Sequence, residues 1–264
     1  MKLIKDFFLF LFGNRQSIII KCLSVLKTAF KYLLSLSKVS LKHTIFLFPK
    51  IVKSQIFLEF YSTFNKTRIN KVAYFDKKYQ FNYPDWFGGK ILVWEKIIKE
   101  LNDQKIDYLE IGSFEGRSTV FVSELKNINS VMCVDTFEGG DEHSSVNFKE
   151  VFNNLKNNLK KAPNQNYKIF KGKSNNFFIQ NSKKFNLIYI DGSHFYEDVK
   201  LDFENSLNYL KKGGVLICDD FLWFFYKDIS NNPMRAILEC YEKNKNNLEI
   251  IFVNYQIIFK KISR

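Results

Sequence analysis

Three carboxylates and a histidine stand at the ends of two apolar runs in the second half of the chain. They are Ile190-Asp191-Gly192-Ser193-His194 and Cys218-Asp219-Asp220-Phe221. Clustered carboxylates repel one another, so they need protons, hydrogen-bond donors or a cation. An all-oxygen set of Asp191, Asp219 and Asp220 suits a hard divalent ion such as Mg²⁺. The plainer reading has Asp219 and Asp220 capping the following turn, with Asp191 accepting backbone donors. His194 is one of three histidines, with His43 and His143, and it alone sits beside these acids. An imidazole there can take a hydroxyl proton near neutral pH.

Two further acids close earlier runs. The first is in Leu109-Glu110-Ile111-Gly112-Ser113-Phe114-Glu115-Gly116-Arg117-Ser118. Glycines after a first strand let the backbone turn tightly and approach a ligand at the start of the next helix. The spacing is Gly-x-x-x-Gly after an acid, not Gly-x-Gly-x-x-Gly. Glu110 would repel a pyrophosphate and orient a cationic ammonium. The bland alternative is a turn capped by Ser113 or Ser118. The second acid is Asp135 in Val134-Asp135-Thr136-Phe137-Glu138-Gly139-Gly140, placed to accept hydrogen bonds from ribose hydroxyls. Lys171-Gly172-Lys173-Ser174 forms a third open turn, bordering an adenine or carrying a helix cap at Ser174.

Such residues converge only if strands end together. The short apolar runs Tyr108–Ile111, Val131–Val134, Tyr167–Phe170, Leu187–Ile190 and Val215–Cys218 alternate with helix-compatible stretches at about 116–126, 146–161, 174–182 and 195–211. That alternation predicts a parallel, doubly wound sheet. Leu248–Val253 and Tyr255–Lys260 flank Asn254 with no helix between, which predicts a terminal antiparallel hairpin. Tyr83-Pro84-Asp85-Trp86-Phe87-Gly88-Gly89 reads as a turn-rich entry to the domain, followed by an apolar helix face through Ile91, Trp94, Ile97 and Ile98.

The 264 residues carry 40 Lys or Arg against 27 acids, and 46% are apolar. That apolar share excludes a disordered chain. Charge is unevenly placed. Residues 1–72 hold 13 Lys or Arg against two acids, Asp6 and Glu59, and the remainder is nearly neutral. The chain therefore divides into a basic amphipathic extension at 1–79 and a globular domain at 80–264. The run Phe7–Phe12 has no small-residue cleavage site close behind it, and lysines recur before any uncharged stretch reaches the roughly 18 residues needed to span a bilayer. The extension reads as an arm for an anionic membrane surface or for packing on the domain or a second subunit. The cysteines Cys22, Cys133, Cys218 and Cys240 form no C-x-x-C pair. A reducing, cytoplasmic setting is therefore the expectation, at the inner face of the membrane if the arm takes the surface role.

The run Tyr108-Leu-Glu-Ile-Gly-Ser-Phe-Glu-Gly-Arg-Ser-Thr-Val120 resembles motif I of class I S-adenosylmethionine-dependent methyltransferases. The bacterial subgroup labelled methyltransferase domain family 24 is similar over about residues 80 to 262. Matching features recur in order: Asp85-Trp86-Phe87, Val134–Gly140, Tyr189–His194, Lys212–Asp220 and Tyr255–Lys260. The resemblance implies a Rossmann-like α/β fold, a mostly parallel seven-stranded sheet with the closing hairpin. It implies Glu110 and Gly112 at the methionine end of the cofactor and Asp135 on its ribose. Ser113, Gly116, Ser118, Thr136, Phe137, Lys173, Ser174 and Asp191 would line the same cleft. Asp191, Asp219 and Asp220 resemble the metal ligands of sugar O-methyltransferases. Those enzymes carry a second aspartate after the Asp-Gly pair as a base. Here Ser193 and His194 follow instead, which makes His194, with Asp191, the catalytic candidate.

The expected reaction is methyl transfer to a hydroxyl of a sugar, glycan precursor or other small acceptor, in a monomer or homo-oligomer. A nicotinamide-dependent oxidoreductase also uses a glycine turn and a ribose-binding acid, but the dinucleotide fingerprint is absent and the closing hairpin is antiparallel. A nucleic-acid methyltransferase would suit the basic arm. Asp191-Gly-Ser-His stands where amino-methylating enzymes of that class carry Asn/Asp-Pro-Pro-aromatic, and the arm has no nucleic-acid motif.

Overall fold

The computed structural model describes residues 15–62, 65–101, 105–140 and 143–263. The Phe7–Phe12 run lies outside them.

Seven strands form one sheet in the order β3-β2-β1-β4-β5-β7-β6. They are β1 (Ile106–Ile111), β2 (Ile128–Asp135), β3 (Tyr167–Lys171), β4 (Phe185–Ile190), β5 (Leu210–Cys218), β6 (Leu248–Val253) and β7 (Ile257–Lys261). The first five run parallel, β7 pairs antiparallel with β5, and β6 antiparallel with β7. The chain winds outward from β1 through β2 and β3, then returns to β4 on the other side. The reversal lies between β1 and β4, where open α/β sheets form their ligand crevice.

Side-chain alternation builds a core on each face. Leu109, Ile111, Ile188, Ile190 and Leu216 face one layer with Phe177, Phe203 and Ile237. Tyr108, Cys133, Leu187, Tyr189 and Ile217 face the other with Trp94, Val120 and Leu155. Each such side chain removed from water contributes about 1.5–3 kcal/mol, so both layers hold the strand ends in fixed register.

The helices that follow the arm are α4 (Ile91–Glu100), α5 (Arg117–Ser123), α6 (Phe148–Lys161), α7 (Ser174–Gln180), α8 (Tyr196–Tyr209) and α9 (Pro233–Asn244). The expected helix at 195–211 stops at Tyr209. Leu210 already pairs with Phe185, so β5 starts five residues before the expected Val215. Helix α9 was not among the expected elements, although Pro233 opens it and Met234, Ile237, Leu238 and Tyr241 bury one face. In the hairpin, Asn254 N donates to Gln256 O, and this turn delays β7 to Ile257.

Three helices precede the domain: α1 (Arg15–Ser37), α2 (Leu41–Ser62) and α3 (Asn65–Lys78). Helix α2 covers the exposed edge of β6, with Ser54 Oγ accepting from Val253 N at 3.1 Å and Gln55 Nε2 donating to Asn254 Oδ1 at 3.2 Å. Satisfying an edge strand in this way removes a site of unwanted pairing. His43 and Lys42 both meet Glu242 of α9. Helix α3 places Phe75 against Phe121 and Asp76 against Arg117. No helix among the described residues is long and apolar enough to cross a membrane.

Candidate active site

The carboxyl ends of β2, β1, β4 and β5 are stitched side by side. Gly112 N donates to Val134 O, Asp191 N to Ile111 O and Asp219 N to Ile190 O. Gly112 has φ of +86°, and a Cβ there would fall 1.9 Å from the carbonyl oxygen of Asp191. Only glycine lets β1 turn away this close to β4. Gly116, also at positive φ, rather than Ser113 or Ser118, caps α5.

Backbone strain concentrates on the same edge. Phe114, Phe137 and Asp220 are the non-glycine residues at positive φ among those described, and they follow β1, β2 and β5. Such conformations cost free energy and persist where the surroundings impose them, typically at functional sites. Asp135 imposes two of them. Its Oδ2 accepts from Phe114 N at 2.9 Å and its Oδ1 from Phe137 N at 2.7 Å. Burial raises its pKa, against these amide bonds. Phe114 then stacks on His143 and meets Trp86, which builds an aromatic wall over the turn.

Glu110 lies beneath the turn, fully buried, and accepts from Ser118 Oγ and from Thr119 Oγ1. Burial pushes its carboxyl up to about 8, opposed by those hydroxyls. In this position it ties α5 to β1. Lys173 is the N-cap residue of α7, and Ser174 is its first helical residue, donating to buried Asp202. Thr136 Oγ1 accepts from Glu138 N at 3.3 Å. Asp135, Thr136, Phe137, Lys173 and Ser174 therefore share one end of the edge, with Gly172 N bonded to Asp135 O.

The acidic cluster occupies the other end, and its members have different partners. Asp219 is buried and forms an ion pair with Lys90 Nζ. Its Oδ2 also accepts from Tyr189 Oη and from Gln256 Nε2, and Trp94 Nε1 holds Gln256 in place at 3.0 Å. Burial pushes the Asp219 carboxyl up, and Lys90 pulls it back down. Asp191 Oδ2 lies 2.7 Å from Tyr189 Oη. His194 Nε2 lies 2.9 Å from Asp220 Oδ2 and 3.8 Å from Asp191 Oδ1. Donor atoms of Asp191, His194 and Asp220 lie within 4.8 Å of one another, close enough to share one ion. The expected all-aspartate set is thus arranged differently: Asp219 faces Lys90, and His194 stands with Asp191 and Asp220.

Lys90, Tyr189 and Gln256 were not among the candidate site residues, although Tyr189 and Gln256 lie inside motifs that carry the family resemblance. Lys90 sits 129 positions from Asp219, and no local pattern marks it as the counter-charge. The excess of acids was itself the signal that a buried cation was needed. Beside His194, Trp223 lies 4.8 Å away and stacks on half-exposed Phe225 at 5.2 Å. This aromatic surface adjoins the carboxylates.

Residues 109–221 match the family model described as a methyltransferase domain. The match runs from the last residues of β1 through Phe221, the central part of the span over which the motifs were read, and bears out that resemblance. An uncharacterized protein of Acanthamoeba polyphaga mimivirus is 28% identical over 130 residues, which make up 48% of this chain and 57% of that protein. The chain thus spans less than two thirds of that curated relative's length. Among solved structures, the O-methyltransferase TomG from Streptomyces achromogenes in complex with S-adenosylmethionine is 12% identical. That alignment covers 63% of this chain and 78% of TomG at a TM-score of 0.48. The O-methyltransferase from Bacillus cereus in complex with S-adenosylhomocysteine is 16% identical, covering 75% and 88% at a TM-score of 0.49.

Proposed function

We propose that this chain transfers a methyl group from S-adenosylmethionine to a hydroxyl oxygen of a sugar or other small acceptor. The observation that carries this reading is the methyltransferase-domain match, which encloses Asp135 at one end of the strand edge and the His194 cluster at the other. Asp135 would accept from the ribose hydroxyls through its remaining lone pairs. The glycine turn after β1 would pass beneath the methionine portion, and Lys173 and Ser174 would border the base. The acceptor would lie by Asp191, His194 and Asp220, with a ring face against Trp223 and Phe225.

The sulfonium supplies the reactive methyl, so the protein's task is alignment and exclusion of water. The acceptor oxygen forms the new C–O bond as the C–S bond breaks, leaving S-adenosylhomocysteine. His194 takes the hydroxyl proton at the ring nitrogen opposite Nε2, and Asp220 and Asp191, which face Nε2, orient the ring and stabilise the imidazolium. Two carboxylates and an imidazole also fit a divalent ion such as Mg²⁺ or Mn²⁺. When bound, that ion would be held by Asp191, His194 and Asp220 and would polarise the acceptor oxygen.

S-adenosylhomocysteine is expected to raise the melting temperature of the protein and NADH to leave it unchanged. The reverse result would turn the reading toward an oxidoreductase. Asp135→Ala is expected to weaken S-adenosylhomocysteine binding by roughly ten- to a few-hundred-fold. Hydrogen bonds to a charged acceptor contribute about 1.5–3 kcal/mol each, and the amides of Phe114 and Phe137 lose their anchor as well. Calorimetry showing unchanged affinity in the folded variant would remove Asp135 from the site.

A further inference from the structure

We infer that the N-terminal helical pair docks the protein on an anionic lipid surface, lying in the plane of the interface. Helix α2 packs one face on β6, α1 packs on α2, and each leaves another face outward. On α1, Ala29 and Leu36 are buried, while Leu23, Leu26, Phe30 and Leu34 are 51–61% exposed. Their spacing of three, four and four residues puts the exposed four on a single stripe. On α2, Leu47, Ile51 and Ser54 are buried, while Leu41, Ile45, Phe48 and Ile56 are 42–71% exposed. These residues also share one side of their helix. Two apolar ridges therefore stand on adjoining helices, turned away from the sheet.

Charge decides what covers them. Lys27, Lys31 and Lys38 lie exposed along one flank of the α1 ridge, and Lys42 and Lys53 along one flank of the α2 ridge. Lys42 is partly engaged by Glu242, and the other four have no acid near them in sequence. No Asp or Glu occurs from residue 15 to residue 58. A second copy of the chain would set lysine rows against lysine rows, a like-charge arrangement that opposes pairing. An anionic headgroup layer complements the lysines while its acyl boundary takes the apolar ridges, the arrangement of an interfacial amphipathic helix. Lysines recur along the length of α1, which suits a helix lying in the surface. The inference goes beyond the proposed methyl transfer and does not depend on it.

Full-length protein should be sedimented with phosphatidylcholine vesicles and with vesicles containing phosphatidylglycerol. Pelleting is expected with the anionic vesicles alone and should be reversed by high salt. The double variant Phe30→Asp/Ile45→Asp changes exposed residues and should keep the native melting temperature. Its partitioning is expected to fall by about tenfold or more, because charge replaces apolar surface at the interface. Lys27→Glu/Lys31→Glu should weaken binding in the same direction. Absence of pelleting, or equal pelleting on neutral vesicles, overturns the inference. Dissociation by Phe30→Asp of a dimer seen by light scattering also overturns it, since the face would then be a self-interface. Vesicle binding is read without methyl transfer, so its failure leaves the catalytic reading standing.

Discussion

Alanine at position 194 is expected to lower methyl transfer by about 10²–10⁴-fold while leaving S-adenosylhomocysteine binding unchanged, the range for loss of a positioned general base. His194 Nε2 lies 2.9 Å from Asp220 Oδ2, and the ring packs on Trp223, so two contacts fix it at the edge. Asp135 and the glycine turn lie on other strands, and truncating the imidazole leaves them intact. A deficit confined to turnover therefore separates chemistry from cofactor binding. Excess EDTA resolves the second role open to this residue. Full activity in EDTA, with the deficit in His194→Ala, leaves the histidine as the base. Loss in EDTA that Mg²⁺ or Mn²⁺ restores makes it a metal ligand beside Asp191 and Asp220. Full activity of His194→Ala under both conditions would remove it from the mechanism.

The strand ends were legible in the sequence because each is a local event. Apolar runs of four residues stop before Gly112, Asp135, Lys171, Asp191 and Asp219, and the parallel order follows from the helices between them. The direction each acid faces was not legible to the same degree. Asp219 and Asp220 are adjacent, and neighbouring residues leaving a strand point to opposite sides. One of them turns inward to Lys90 and the other outward to His194. Glu110 shows the same effect: β1 is buried on both faces, and its even positions look into the layer of α5, where Ser118 and Thr119 wait. Lys90 was out of reach because the contact joins a turn before α4 to the end of β5. Only the sheet order brings those segments together.

That distant lysine carries the largest expected effect on stability. Lys90→Met should lower the unfolding free energy by about 3–5 kcal/mol, the cost of leaving a buried charge without its partner. The Asp219 side chain is fully buried, and after the substitution its hydrogen-bond partners are the neutral Tyr189 Oη, Gln256 Nε2 and amide of Asp220, while the neighbouring Asp191 carboxylate adds like charge. Burial already raises its carboxyl pKa, and removing Lys90 removes the strongest opposing influence. A raised folded-state pKa means that the native protein binds a proton which the unfolded chain has released. Stability of the variant should then fall as pH rises above the ordinary carboxylate range. Its gap from the parent should narrow under acid conditions, where Asp219 is neutral in both states. Denaturant melts across pH read both quantities. The double variant Lys90→Met/Asp219→Asn should recover most of the loss, because the amide needs no counter-charge and still accepts from Tyr189 and Gln256. If the single variant matched the parent at every pH, Lys90 would not be the counter-ion of Asp219. The edge would then need another cation to keep three carboxylates together.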